Sequence, residues 1–549
     1  VAATINGERL LISGGADGGI HALQMRTGKL VWSYKYSVGV INPSPVVVGN
    51  YVMCAHGEEN PDGGDIGRVI CLDASKVKDG KPELVWQYRD GTRFGLASPA
   101  ADDKYLYVPD DSAKLYCFEI KKEPVGTQKI NKFLWKFNYG TLSRGSPLLA
   151  DNKIYISGVD ARFAIIPLNG KKAPEGSHET KFRSPPGGVG LVEVHCTPAV
   201  ADGRVFFATR DEFFCIGNEK AKPKVSPSPK TETEPEAKDG DAVAHIAVYP
   251  ADVVAKPGEE LSFSLRAFNA KGQLLKNAKL EGAWSLPQPP PAKAGATAPP
   301  PLDGTVDTTT GKVTVGKRPS QQGYVAFKAG MVTAQARVRV PASTSYKQDF
   351  GLVPVGAAPG GWVNAQGKYF VVEKDNEKVL FKVNNDARPP LARANAYITA
   401  PNATNYTIEA DIMGVEKKEK LPDAGLVANR YTFYLDGKTD DKGQRTVRLV
   451  SWEALPRINV DAPLTWKSGT WYRLKLSVEV GEKEAVVRCK AWERGSAEPE
   501  KWTIEFKDPL PNREGAAALY GYVTNADKEE PGSEIYFDNV VVAPNGSKK

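Results

Sequence analysis

GIHALQMRTGKLVW (Gly19–Trp32) is an alternating strand, a turn at Thr27-Gly28, and a second strand that ends on tryptophan. The phrase returns as GRVICLDASKVKDGKPELVWQY from Gly67 and AKLYCFEIKKEPVGTQKINKFLWKF from Ala113. A degraded copy, ARFAIIPLNG, starts at Ala161, and a half copy without the tryptophan strand, EFFCIGN, starts at Glu212. A second phrase precedes each copy: SPVVVGNYVMC from Ser44, SPAADDKYLYV from Ser98, SPLLADNKIYI from Ser146 and TPAVADGRVFF from Thr197, spaced by 54, 48 and 51 residues. Val1–Ser13 matches it without the Ser-Pro. Each second phrase is two strands around a short polar turn (Asp102-Asp103, Asp151-Asn152, Asp202-Gly203), the pattern of a hairpin. Four short strands repeated at this spacing, with a tryptophan on the last, predict β-propeller blades, about four and a half of them.

Blades cannot bury both faces alone, so one large flat side chain per unit (Trp32, Trp86, Trp135) is expected to pack between neighbours rather than bind a ligand. Cys71, Cys117 and Cys215 fall at one repeat position, aligned with Ala22 and Ile165, and read as free thiols in a small buried slot. Cys54, Cys196 and Cys489 complete the six, and no CxxC or CxxCH occurs.

These phrases resemble the PQQ-like, quinoprotein-type propeller repeat, whose pattern runs Gly-x-x-x-Ala-Leu-Asp-x-x-Thr-Gly-Lys-x-x-Trp. Gly19–Trp32 departs from it at Gln24, where aspartate is usual. The resemblance covers residues 1–218 and implies the fold more than an activity, because the repeat serves enzymes and scaffolds alike. Enzymes of the family carry an adjacent Cys-Cys pair, carboxylate and asparagine calcium ligands, and a catalytic aspartate. The sequence has no Cys-Cys pair, which argues against PQQ as a cofactor. Rings of the family usually hold seven or eight blades, and Val1 already lies inside a hairpin. Further N-terminal blades, and a leader that is not visible here, are therefore expected upstream, with the propeller of this chain open or incomplete.

Residues 219–241, EKAKPKVSPSPKTETEPEAKDGD, have no aromatic side chain and read as a Pro-rich solvated linker. Residues 242–341 return to short alternating strands and predict a β-sandwich resembling bacterial Ig-like domains, with Pro287–Pro301 as a loop. Residues 345–543 hold many strands and no helical period. In WYRLKLSVEV, Tyr472, Leu474, Leu476 and Val478 share one face, and Arg473, Lys475 and Ser477 the other. A jelly-roll sandwich is expected. GTWYRLKLSVEVGEKEAVVRCKAW and the closing YFDNVVV resemble concanavalin-like (laminin-G/lectin-like) domains. The fold class is thus all-β: a partial propeller, an Ig-like sandwich and a jelly roll. The combination resembles large extracytoplasmic proteins of planctomycete-type bacteria, which implies a periplasmic or secreted location.

The 549 residues are 25% charged and 41% hydrophobic with a net charge of +7, and no dense Lys/Arg stripe signals nucleic-acid binding. No apolar run reaches the ~18 residues of a membrane span. GxSxG and HExxH are absent, and the chain has only five histidines. The loop HGEENPDGGDIG (His56–Gly67) gathers His56, Glu58, Glu59, Asp62 and Asp65. A solvated acidic loop is the plain reading; a hard-cation site, with calcium as the candidate cofactor, is the sharper one. His195-Cys196 is a further soft-ligand pair, read as structural. Asp538 in YFDNV matches a position that binds structural calcium in related sandwiches, with Asp349 as its candidate partner. Among the aromatics of residues 345–543, Trp452, Tyr520 and Tyr522 have polar or glycine neighbours and are the candidate sugar-stacking residues.

The reading that follows is a non-catalytic extracytoplasmic binding protein. Its propeller contacts protein, its Ig-like unit is a spacer, and its jelly roll recognises a glycan or surface. Glycans and cell-envelope proteins are the expected partners. The alternatives are a fragment of a quinoprotein oxidoreductase, a glycoside-active jelly roll, and an envelope-assembly factor of BamB type.

Overall fold

The structure is a computed structural model that describes residues 1–183, 190–218, 220, 233–290, 298–439, 443–451, 458–527 and 529–546. Most of the 219–241 linker, part of the Pro287–Pro301 loop and Trp452 lie outside the described residues. Among the described residues the elements are strands, with one helical turn at Pro389–Ala392. No helix among them is long and apolar enough to cross a membrane.

The repeat folds as antiparallel sheets met in chain order. Four have four strands, spanning Ala2–Lys35, Val46–Tyr88, Ala100–Asn138 and Leu148–Lys181, and one has three, spanning Ala199–Gly217. Asp151-Asn152 and Asp202-Gly203 have φ of 48° and 54°, and 50° and 70°, so both turns take the left-handed pair that matches strand twist. Asp102-Asp103 does not. There the Asp102 carboxylate accepts the Lys104 and Tyr105 N–H groups at 2.8 and 2.7 Å and closes the turn by side chain.

Each tryptophan sits opposite the small repeat position across the sheet: Trp32 faces Ala22, Trp86 faces Cys71, and Trp135 faces Cys117. The repeat thus sets a small residue, alanine or cysteine, beside each indole. Each apolar cluster bridges two consecutive blades. Trp32 packs with Val52, Cys54, Ile70 and Leu72 of the second blade, Trp86 with Leu106, Tyr116 and Phe118 of the third, and Trp135 with Ile154, Ile156 and Ile166 of the fourth. Burial pushes the Cys71 and Cys117 thiols well up from their usual range. The buried-slot expectation fails at Cys215, which is exposed: its sheet has three strands among the described residues and ends at Phe213–Gly217, so no tryptophan strand pairs with it.

The Ser-Pro phrase has a separate role. The Ser44 N–H donates to Ser98 Oγ at 2.9 Å, Ser98 N–H to Ser146 Oγ at 2.9 Å, and Ser146 N–H to Thr197 Oγ1 at 3.0 Å. One hydroxyl per blade therefore latches the preceding blade's backbone. Replacing Ser146 by alanine orphans the partly buried Ser98 N–H and is expected to cost about 1 kcal/mol. Ser146→Thr is expected to be neutral, as Thr197 already does the same work; equilibrium denaturation of both variants checks this.

The chain divides into two compact units, Val1–His245 with Ala267–Ala278, and Ile246–Arg266 with Lys279–Lys549. Ala267–Ala278, inside the expected 242–341 sandwich, groups with the blades. The Gln24 amide donates to Ala270 O at 2.8 Å and the Gln273 amide to Gly7 O at 3.0 Å. The first of these bonds is one that the aspartate usual at position 24 could not donate.

In the second unit, Val332–Val340 pairs with Gln321–Ala329 and, in parallel, with Asp252–Val254; Trp284 packs on Phe327 at 5.2 Å. Two large sheets follow. The six-stranded one runs, in spatial order, Arg393–Tyr397, Ala518–Tyr522, Asp423–Ala428, Tyr431–Thr439, Arg445–Ser451 and Asn459–Pro463. The eight-stranded one includes Tyr406–Val415, Trp471–Val480, Ala485–Glu493 and Glu534–Pro544. Alternate residues of both supply one shared core, among them Leu426, Phe433, Leu449 and Leu519 from the first and Ile408, Leu474, Leu476 and Phe537 from the second.

Candidate functional site

Strand alternation puts every second residue of the six-stranded sheet on the face away from that core. Along one row the register places Arg393 beside Tyr522 and Tyr522 beside Asp423. The next row reads Asn395, Tyr520, Gly425, Tyr434, Arg448 and Asp461. The outer face is therefore aromatic and charged where the inner face is alanine, leucine and phenylalanine.

Gly425 decides how the rows pack. A Cβ there would overlap Phe433 O and lie 2.5 Å from Tyr434 Cα. Without it, the Tyr520 and Tyr434 rings approach to 5.4 Å across the glycine, and Tyr397 and Tyr522 join the same cluster. Arg448 straddles two carboxylates, with Nε 2.6 Å from Asp461 and Nη1 3.1 Å from the buried Asp436. Arg393 lies 4.3 Å above the Tyr522 ring, a cation–π contact. Both residues line a groove of about 620 Å³ with Ala387, Ala392, Val523, Asn525 and Ala526.

Asp423 is half-buried and its Oδ1 accepts the Gly437 N–H at 3.0 Å. Burial, with the Asp436 charge adding to it, pushes its carboxyl up to about 6. A raised acid favours the folded state below its unfolded value near 3.8 and loses that contribution as pH rises through about 6. Asp423→Asn keeps the Oδ1 acceptor and removes the charge. It is expected to stabilise the second unit by about 2 kcal/mol at pH 7.5, with the gain vanishing below pH ~4; thermal melts of both proteins across this range check it.

The candidate stacking residues separate. Tyr522 is half-buried on the groove wall, whereas Tyr520 is 5% exposed and serves as the floor of the aromatic cluster, so the expectation of an open Tyr520 ring is corrected. Its ring is covered because Gly425 lets Tyr434 lean across. Arg393, Asp423, Tyr434 and Arg448 were not foreseen. Their signal lies in RANAY (Arg393–Tyr397), where alanines alternate with arginine, asparagine and tyrosine: a small-residue core face backed by a polar-aromatic one.

The metal expectations are not met. Among the described residues no group of three or more His, Cys, Asp or Glu side chains is arranged to hold a metal ion. In the 56–67 loop, His56 is fully buried against the Tyr36 ring at 4.9 Å, and its Nδ1 accepts the Glu58 N–H. Burial, with Arg68 nearby, lowers its imidazole to about 4. Asp62 is neutralised by Arg68 and Arg89, so it offers no uncompensated charge to a cation. Asn60 donates to the carbonyls of Asp65 and Gly67 and shapes the loop; Glu58, Glu59 and Asp65 do not converge with His56 and Asp62. In residues 345–543, Asp538 lies in a buried network with Asp411, Asn539 and Arg494, whose Nη1 is 3.4 Å away. The guanidinium stands where a calcium ion was expected. Asp349 is exposed and accepts the Gly351 N–H, and no contact joins it to Asp538 among the described residues.

Residues 1–216 match the family model described as outer membrane protein assembly factor BamB, so the blades are PQQ-like repeats. No curated protein matches the chain. Among solved structures, BamB from Moraxella catarrhalis is 13% identical, with a TM-score of 0.29 over 57% of this chain and 83% of that one. A protein described as Bacteroides ovatus xyloglucan PUL GH43B is 11% identical, with a TM-score of 0.26 over 98% of this chain and 96% of that one. Likenesses at this level do not extend to activity.

Proposed function

We propose that this protein is a non-catalytic extracytoplasmic binding protein whose blades engage protein and whose C-terminal sandwich, read as a concanavalin/laminin-G-like jelly roll, recognises a glycan. Residues 242–341 act as an Ig-like spacer. The observation that carries this reading is the outer face of the six-stranded sheet, where Tyr522, one of a cluster of four tyrosines, lines an open groove together with Arg393. Sugar rings present apolar C–H faces and polar edges, and such a surface offers an aromatic wall with hydrogen-bonding groups beside it. The full-length chain is expected to bind on a glycan array, with Tyr522→Ala weakening the strongest hits roughly tenfold, or about 1.4 kcal/mol. An array with no hits removes the lectin half.

The BamB-type family match over residues 1–216 favours a second reading, in which the blades act in cell-envelope assembly with protein partners. Co-purification of outer-membrane barrel proteins with the full chain, lost when the blades are deleted, is its test.

A further inference from the structure

We propose that Ser33 is a covalent acylation site, a serine hydroxyl activated by His21 and Asp17 that takes an acyl group from an activated ester. This is separate from the glycan reading above and asks for one transfer, not turnover. His21 and Ser33 stand opposite each other on the strands Gly19–Gln24 and Leu30–Lys35, and His21 Nδ1 lies 2.8 Å from Ser33 Oγ. His21 Nε2 lies 3.0 Å from Asp17 Oδ1, which also accepts the Gly19 N–H at 3.2 Å. The imidazole thus bridges a hydroxyl and a carboxylate, the arrangement of a general base between a nucleophile and an orienting acid.

The proton positions follow from the partners. The His21 hydrogen bond holds the Asp17 carboxyl below its usual range, so at neutral pH it is ionised and only accepts. In the neutral ring Nε2 therefore carries the hydrogen, Nδ1 keeps its lone pair, and the Ser33 O–H donates to it. Two glycines make room for the ring. A Cβ at Gly15 would lie 2.5 Å from Asp17 Oδ1 and 3.1 Å from His21 Nε2, and one at Gly19 would lie 3.0 Å from the ring. Blade packing does not ask for this pair. The next two blades hold Ile70 opposite Gln87 and Tyr116 opposite Lys136 at the corresponding positions, with Ile70 and Tyr116 buried against the preceding blade. The His21 side chain is 29% exposed, that of Asp17 61%, and Ser33 is half-buried, so a small ester reaches the hydroxyl.

In the transfer, Ser33 Oγ attacks the ester carbonyl as its proton passes to His21 Nδ1. The Oγ–C bond forms, the bond from the carbonyl carbon to the leaving group breaks, and His21 gives the proton to the departing group. Asp17 offsets the imidazolium charge between the two proton transfers. The products are acyl-Ser33 and a free alcohol, phenol or thiol.

The test is incubation of the full chain with para-nitrophenyl acetate, read as nitrophenolate release and, by peptide mass spectrometry, as acetyl-Ser33. A burst stoichiometric with protein is expected, and Ser33→Ala is expected to lose it. His21→Gln is expected to slow acetylation of Ser33 about a hundredfold, with added imidazole restoring it. Asp17 is a positioning residue: Asp17→Asn is expected to slow acetylation and, in nitrogen NMR spectra of the His21 ring, to replace the single Nε2–H tautomer by a mixture. Ser33 left unacetylated in the unaltered protein overturns the inference. So does an unchanged rate in His21→Gln, a loss there that imidazole does not restore, or a tautomer unmoved by Asp17→Asn.

Discussion

Trp86→Ala is expected to cost about 4 kcal/mol, the largest single loss in the blade unit. Trp86 is fully buried, stacks on Phe118 of the next blade at 5.6 Å, and donates its indole N–H to Ile120 O at 2.8 Å. Truncation opens a cavity between two blades and orphans a carbonyl at the same time, so the cavity and hydrogen-bond penalties add. Trp86→Phe keeps most of the volume and loses the N–H, and is expected to cost roughly half as much. Denaturant titration of both variants, followed by tryptophan fluorescence and circular dichroism, measures the difference. A loss below ~1.5 kcal/mol for the alanine variant would show that the wedge between blades is not what holds them.

Gly425→Ala is the second large effect, expected at about 3 kcal/mol. The added methyl overlaps backbone atoms of the neighbouring strand, at Phe433 O and Tyr434 Cα, and neither can swing aside as a flexible side chain would. Relief requires Asp423–Ala428 and Tyr431–Thr439 to separate, which stretches the ladder between them and parts the Tyr520–Tyr434 pair. The variant is expected to lose thermal stability in the second unit and, on the proposed glycan reading, to bind glycan more weakly even where it remains folded. Melting curves and titration on the same sample distinguish the two effects.

The fate of each candidate residue follows from what its role depends on. The blades were legible because their determinants are local and repeated: strand alternation, polar turns, one tryptophan and one small residue per unit. Even there, two details depend on groups distant in sequence. Gln24 replaces the usual aspartate because it donates to Ala270 O, 246 residues away. The Ser-Pro serines recur because each hydroxyl receives an N–H from the preceding blade. The exposure of Cys215, by contrast, follows from the half copy itself, which lacks the tryptophan strand.

The acidic loop and Asp538 looked like cation sites because a sequence shows carboxylates without their partners. The fold sets Arg68 and Arg89 against Asp62, and Arg494 against Asp538, and a guanidinium supplies the charge that a metal would have brought. Tyr520 and Tyr522 differ for a similar reason. They lie two apart on one strand and point to the same face, yet Gly425 brings a neighbouring tyrosine over the first and Arg393 borders a groove beside the second. By itself, then, the sequence determined the all-β class and the blade repeat, because short-range periodicity encodes which face of a strand is buried. Tertiary structure alone decided which polar groups are neutralised and which aromatic faces stay open, because pairing and exposure depend on what neighbouring strands, dozens to hundreds of residues away, bring across the sheet.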